Sequence, residues 1–415
     1  MSSILTNNGA MVALQTMKSI NKNLGQVQSE ISTGKSVANA KDNAAVWAIS
    51  KVMESDVKAF KGISDSLALG SSTVGVGQKA AETVTDLLNK VKSKIVAAQE
   101  ANVPRDKIQA DINALRDQIS ATVGAAQLGG LNLLSNKETA ARSGSVDILA
   151  SLDRSANGVG VSKINVVKQD LGLGASSLGA APVVVLVAGA LATGPTPAQG
   201  VALFAGPIVA GTGFNVAITA GTGNAASANT ATVDAIRYVA RDGDTAADVA
   251  RGLAAAFNTH IEGTMGADRG TVGAVASGNN LTFTGSTGVA LANDMEVEVN
   301  SFAGSVIGGG LEGLNDINVE SDEGAARALL AIETMIQTGI DAAAAFGSVR
   351  GRIETQQDFV GNLVDAMRTG IGSMVDANME EASARLQALQ VQQQLATQSL
   401  SIANQAPQNI LALFR

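Results

Sequence analysis

No cysteine occurs anywhere in the 415 residues, so neither a disulfide nor a thiolate metal site can hold this chain together. Aromatic residues are scarce as well: they make up 3% of the sequence against 46% for all apolar types, with one Trp, one Tyr and nine Phe. The apolar fraction is therefore mostly Ala, Val, Leu and Ile, which suits long thin helices better than aromatic-lined pockets. Basic charge is in deficit, with a net charge of −8. A phosphate-binding surface needs a basic stripe, so no nucleic acid partner is expected. The first ten residues lack a basic segment followed by an apolar run, and a cleaved general-secretory signal is not expected. No stretch of bilayer-spanning length is free of glycine or proline; Ala181 to Leu203 is broken by Gly189, Gly194, Pro195, Pro197 and Gly200. Membrane insertion is not expected.

Catalytic chemistry finds no purchase either. His260 is the lone histidine, followed by Ile261 and Glu262; a zinc deaminase would need cysteines and a helical metalloprotease a second histidine one turn away. A Ser-His-Asp arrangement would rest on this one side chain. Gly308-Gly309-Gly310 leads into Leu311-Glu312 and not into Lys-Ser or Lys-Thr, so it is not a phosphate loop. Asp242, Asp244 and Asp248 read as a turn and a helix cap and not as a calcium site. No enzyme activity, cofactor or metal is expected.

What the chain does carry is helical periodicity at both ends. From Met374 to Arg415, Val375, Met379, Ala382, Leu386, Leu389, Gln393, Ala396, Leu400 and Ala403 follow a four-three rhythm. Ile410, Leu411 and Phe414 extend the apolar set to the terminus. This narrow stripe is the seam of a coiled coil, on a helix of about 60 Å. Near the amino terminus Ala13, Met17, Ile20, Leu24, Val27 and Ile31 repeat the rhythm and offer a partner. Gln393 places a polar group at a seam position, a device that sets register.

Between these ends the pattern predicts a helix from near Gly9 to Gly34, and a second after Asp42 as its cap. That second helix meets Gly70, Gly75 and Gly77, after which Val84, Leu87, Val91, Ile95 and Ala98 resume its period. A third runs from Arg105 to Ala126 and is ended by Gly129-Gly130. Val146, Ile148, Ala150, Ile164 and Val166 alternate around Asn157-Gly158, the signal of a β-hairpin. From Leu171 to Val233 there is no charged residue, and short β-type runs predict a small sheet domain. Val233 to Val239, a helix carrying Val249, Leu253 and Phe257, then Val272 to Ala276, Leu281 to Thr284 and Met295 to Val299 form a strand–helix–hairpin unit. Leu329 to Met367 returns to a helical heptad, up to Gly370-Ile371-Gly372.

The fold class is therefore mainly α with an α+β insert. Residues 1–40 and 374–415 form a terminal coiled coil, 41–172 and 311–373 a helical rod with a β-hairpin, and 173–310 the insert. Two long amphipathic helices leave much apolar stripe wet unless copies associate. Self-assembly and an ordinary coiled-coil stalk are both consistent with this pattern.

Leu24-Gly25, Ser29-Glu30-Ile31-Ser32-Thr33-Gly34-Lys35 and Ala40-Lys41-Asp42-Asn43-Ala44-Ala45 through Ala48-Ile49 resemble the amino-terminal signature of bacterial flagellins. Leu131-Asn132-Leu133-Leu134 is similar to a loop of that family, although Leu128-Gly129 stands where Phe-Asn is usual. The ending from Ser401 to Arg415 resembles the flagellin carboxyl terminus. The resemblance covers residues 1–173 and 311–415, and the insert is the part that varies in this family. It implies an extracellular homopolymeric filament subunit of the flagellum, exported unfolded through the flagellar type III apparatus. Its partners would be an export chaperone on the carboxyl-terminal helix and hook-associated and cap proteins. A hook–filament junction protein and a surface adhesin with a coiled-coil stalk are the alternatives. Flagellins seen by the animal innate receptor carry a segment like Leu-Gln-Arg-Val-Arg-Glu-Leu-Ala. The matching run here, Leu88 to Ile95, has Lys90, Ser93 and Lys94 at departing positions, which implies weak or absent recognition.

Overall fold

The computed structural model describes residues 7–155, 158–180, 182–191, 199–203, 207–221, 236–264, 272–284 and 295–413. Three helices open the chain: α1 (Asn8–Thr33), α2 (Ala44–Ala97) and α3 (Arg105–Ala125). Short strands β1 (Gln127–Leu128) and β2 (Leu131–Asn132) precede the hairpin β3 (Ser145–Ser155) and β4 (Gly158–Val167). The insert contains β5 (Pro182–Leu191), β6 (Gln199–Leu203), β7 (Gly213–Gly221), β8 (Arg237–Val239), α4 (Ala246–Thr264), β9 (Gly273–Ser277), β10 (Asn280–Thr284) and β11 (Met295–Phe302). Helices α5 (Asp322–Val375) and α6 (Met379–Leu413) close it. The chain divides into two compact units, Met1–Asp65 with Asp358–Arg415, and Ser66–Gln357.

In the larger unit α2 and α5 run antiparallel, because Gly77 of α2 faces Phe346 of α5 while Thr85 faces Gly339. Their buried face includes Leu67, Leu88, Ile95, Ile332, Phe346 and Ile353. α2 does not falter at its glycines: it is one helix of 54 residues. Gly70 is where the hairpin presses closest, since a methyl group there would stand 2.5 Å from the Ile148 side chain. Glycine inside a helix costs about 1 kcal/mol against alanine, offset here by the packing of the hairpin. α5 is long and apolar enough by length and composition to cross a bilayer, but Gly339 and Phe346 seat it on α2 as a core helix.

Several boundaries differ from the sequence pattern for local reasons. Asn43, not Asp42, caps α2, accepting from the Val46 amide at 3.2 Å. The Asp42 carboxylate instead accepts from Ala38 and Asn39. α3 ends at Ala125, before Gly129-Gly130, which form the turn of the β1–β2 hairpin with φ of 60° and 83°. Asn132 ties that hairpin down: its Nδ2 donates to the Val123 carbonyl at 2.7 Å and its Oδ1 accepts from the Leu134 amide. α5 continues past Gly370-Ile371-Gly372 to Val375. The stripe read as unbroken from Met374 is thus interrupted at Asp376–Asn378, and Val375 and Met379 belong to different helices.

The hairpin β3–β4 pairs Ser155 with Gly158 and Val146 with Val166; its expected turn residue Asn157 lies outside the described residues. In the insert a four-stranded antiparallel sheet, ordered β5-β11-β7-β8, and a three-stranded one, β6-β10-β9, are both described. Helix α4 inserts Val249, Leu253 and Phe257 against Val216 and Ile218 of β7, Leu281 and Phe283 of β10, and Val297 and Val299 of β11. Phe257 meets Phe283 edge-on at 5.0 Å, a geometry aromatic pairs favour. α4 opens with a reciprocal cap, Thr245 accepting from the Asp248 amide and Asp248 accepting from the Thr245 amide. Asp244 serves a different turn, described below. Residues 233–235 of the strand expected before Val239 lie outside the described residues.

Candidate assembly interface

Helices α1 and α6 pack side by side in the smaller unit. They run antiparallel: Asn7 Nδ2 donates to the Ala403 carbonyl at 2.8 Å, Gln393 Nε2 to Asn21 Oδ1 at 2.9 Å, and Lys35 pairs with Asp376 by a β-bridge. The Gly34 backbone at φ 68° makes the left-handed turn that ends α1. Beyond it the Ser36 amide donates to Val375 and the Ala377 amide to Gly34. This clasp between the two chain segments is why the helix breaks at residues 376–378. Beside it Lys51 hydrogen-bonds Glu54 at 2.7 Å, and Lys35 stands 3.8 Å away. The Lys51 bond leads in holding the Glu54 carboxyl below its ordinary range. The pair lies at the surface, its side chains 46% and 30% exposed, so it adds little stability.

The heptad residues face the partner helix. In α1, Ile20 and Val27 are buried and Ala13, Met17, Leu24 and Ile31 half-buried, among neighbours that are exposed apart from Glu30. In α6, Ala382 is buried and Leu386, Leu389, Gln393, Ala396, Leu400 and Ala403 are half-buried, while every residue between them is exposed. Met379 departs from the expected seam, at 43% exposure. It is the first residue of α6, where Asn378 caps the helix through the amides of Glu380 and Glu381. Ile410 and Leu411 fall in the last turns of α6 with side chains outside the described residues, and Phe414 lies outside them altogether. Gln393 is not stranded in an apolar seam, because Asn21 receives its amide.

A feature absent from the four-three reading is a second stripe on α6. Val391, Leu395 and Ile402 are 54%, 57% and 63% exposed. At about 100° per residue they fall on one line, opposite the seam. A helix apolar on two opposite sides is built to be covered from both. The spacing of four then seven was legible in the sequence, but it competes with the stronger seam and is diluted by Gln392, Gln394 and Gln398.

Lys90, Ser93 and Lys94 sit on α2 in the larger unit, where Lys94 pairs with Asp111 of α3 at 2.5 Å. Lys90 and Ser93 are exposed. Among the described residues no group of three or more His, Cys, Asp or Glu is placed to hold a metal ion.

The model of the bacterial flagellin N-terminal helical region matches residues 4–139, and that of the C-terminal helical region matches residues 329–414. Together they cover more than half of the chain. The chain belongs to the bacterial flagellin family. Flagellin A of Rhizobium meliloti is 34% identical over 426 aligned residues, covering 100% of both sequences. Flagellin C of Rhizobium meliloti strain 1021 is 32% identical over 416, again covering 100% of both. A solved flagellar hook associated protein-3 from Legionella pneumophila overlaps 78% of this chain and 98% of its own at a TM-score of 0.35 and 9% identity, too remote to inform the site. As a flagellin the chain is a structural subunit of the extracellular flagellar filament, a polymer of many copies of itself, and not an enzyme. The α1–α6 pair lies within the two matched regions.

Proposed function

We propose that the α1–α6 pair is the assembly element of this flagellin, with the seam closing the two helices on each other and the outer stripe of α6 joining one copy to the next. The observation that carries this reading is the exposure of Val391, Leu395 and Ile402 on the side of α6 away from α1. Burying each such side chain contributes about 1.5–3 kcal/mol, summed over every subunit of a filament. Residues 1–40 and 374–415 then act as the assembly domain, 41–172 and 311–373 as the rod, and 173–310 as the outward surface. The same stripe calls for shielding before assembly, which supports export as an unfolded chain through the type III apparatus with a chaperone on α6. Hook-associated and cap proteins would meet the same face at the filament's ends.

The test is seeded growth. A Val391→Glu, Leu395→Glu, Ile402→Glu variant keeps its helical circular dichroism but raises the critical concentration for elongation by about 100-fold or more. Native growth by this variant would remove the outer stripe from assembly.

We also propose that the innate receptor for flagellins binds this chain weakly or not at all. The supporting observation is that Lys94, at a position where the recognised segment has leucine, is engaged by Asp111. A Lys90→Arg, Ser93→Glu, Lys94→Leu variant should gain receptor signalling in a reporter-cell assay; no gain would count against this reading.

A further inference from the structure

The insert joins the rest of the larger unit through two strands that run close together. Ser177 pairs with Val306, the Gly309 amide donates to Gly174 at 2.7 Å, and the Leu311 amide to Gly172 at 2.9 Å. Glycines permit this approach, because a methyl group on Gly309 or Gly310 would meet the carbonyl of Gly172 or Asp170. A two-stranded ribbon alone twists easily and would leave the insert free to rotate about its stem.

A loop of the insert supplies support away from that stem. Arg241 Nε reaches Asp170 Oδ2 at 3.3 Å, and its NH2 donates to the Gly308 carbonyl at 3.1 Å, so one guanidinium grips both stem strands. The Asp170 side chain is 2% exposed and that of Arg241 17%. The guanidinium lies 5.7 Å from the centre of the Tyr238 ring, and the Tyr238 hydroxyl donates to Asp244 at 2.7 Å. Burial first, then the Asp244 charge, raises the Tyr238 pKa, so this hydroxyl remains a donor. The next residue reaches further: Asp242 Oδ2 accepts from the Gly144 amide at 2.7 Å, and its carbonyl accepts from Asn136 Nδ2 at 3.2 Å. Gly144 precedes the β3–β4 hairpin, and a methyl group there would strike the Asp242 carbonyl.

We infer that the loop Arg241–Asp244 is a latch that locks the insert to the helical part of the same unit, so that the two turn as one body and the insert holds a fixed orientation. The anchor at Gly144 and Asn136 adds a support beside the two stem strands, which restrains the twisting of the ribbon. Arg241 and Asp170 are mutually dependent, since removing one partner leaves the other charge buried and unpaired. The inference concerns the single chain and does not depend on how copies assemble.

The absence of cysteine makes the test direct. Spin labels on Val96→Cys in α2 and Val275→Cys in β9, both exposed in the native chain, report the distance between the two parts in full-length protein. The native loop gives one narrow distribution. Arg241→Met with Asp242→Ala, and independently Gly144→Ala from the opposite side, at least double its width and speed exchange of the backbone amide at position 144 by about tenfold. Amide protection in α4 is retained. Native widths in both variants, or a broad distribution in the native loop background, would overturn the latch. So would loss of α4 protection in both variants, because the loop would then only be part of the insert's own fold.

Discussion

Val27→Asp is expected to separate α1 from α6 and to abolish filament growth. Val27 is 6% exposed, and the register set by Asn21–Gln393 and Lys35–Asp376 places it level with Leu386. A carboxylate there would stand in the apolar seam, and burying it costs about 3 kcal/mol or more. An antiparallel pair whose helices have few other supports does not absorb that loss. Circular dichroism should therefore show reduced helix content alongside the failure of seeded growth. The outer-stripe variant differs in losing growth alone, so the two substitutions separate pairing within the chain from joining between chains. Within the same seam, Gln393→Leu should cost only about 1 kcal/mol, because Asn21 can turn to water. Its signature is altered filament shape under electron microscopy with growth retained. Unchanged shape would show that Gln393 does not set register, and native helix content in Val27→Asp would show that the seam is not what holds α1 to α6.

Phe346→Ala should be the most damaging substitution in the larger unit. The ring is 1% exposed and lies over Gly77, where an added methyl would stand 3.5 Å from its edge. α2 approaches α5 closely at this point because one helix supplies no side chain and the other a large one. Removing the ring opens a cavity that two long helices cannot close without shifting along their length. The expected loss is about 3–5 kcal/mol, read as a lower urea midpoint for the unit. Phe346→Leu should lose less, because it leaves a smaller void. Equal losses for the two would mean that the site collapses freely and that Gly77 is not a packing contact.

These outcomes rest on features that were unevenly visible in the sequence. The seam was legible because a 3.5-residue repeat persists over many turns with little to interrupt it, and the half-buried residues of α6 are those of the repeat. Met379 misleads because periodicity carries no information about where one helix ends and the next begins, and Met379 opens α6 after the break at Asp376–Asn378. Gly70, Gly75 and Gly77 look like helix weakeners until Ile148 and Phe346 are seen pressing on two of them. The Asp170 side chain, buried at the base of the insert, is neutralised by the Arg241 guanidinium. Arg241 and Asp170 stand 71 residues apart, and no spacing rule links them.

Local chemistry and period decided on their own which segments of this flagellin are helices and that its ends are amphipathic. Those properties depend on neighbours within a few residues, where sterics and hydrogen bonding act directly. Tertiary structure alone decided the break at Asp376–Asn378, the clasp that aligns α1 with α6, the outer face of α6 left bare, and the latch at Arg241. Each of these is set by groups that meet only after the chain has folded back on itself.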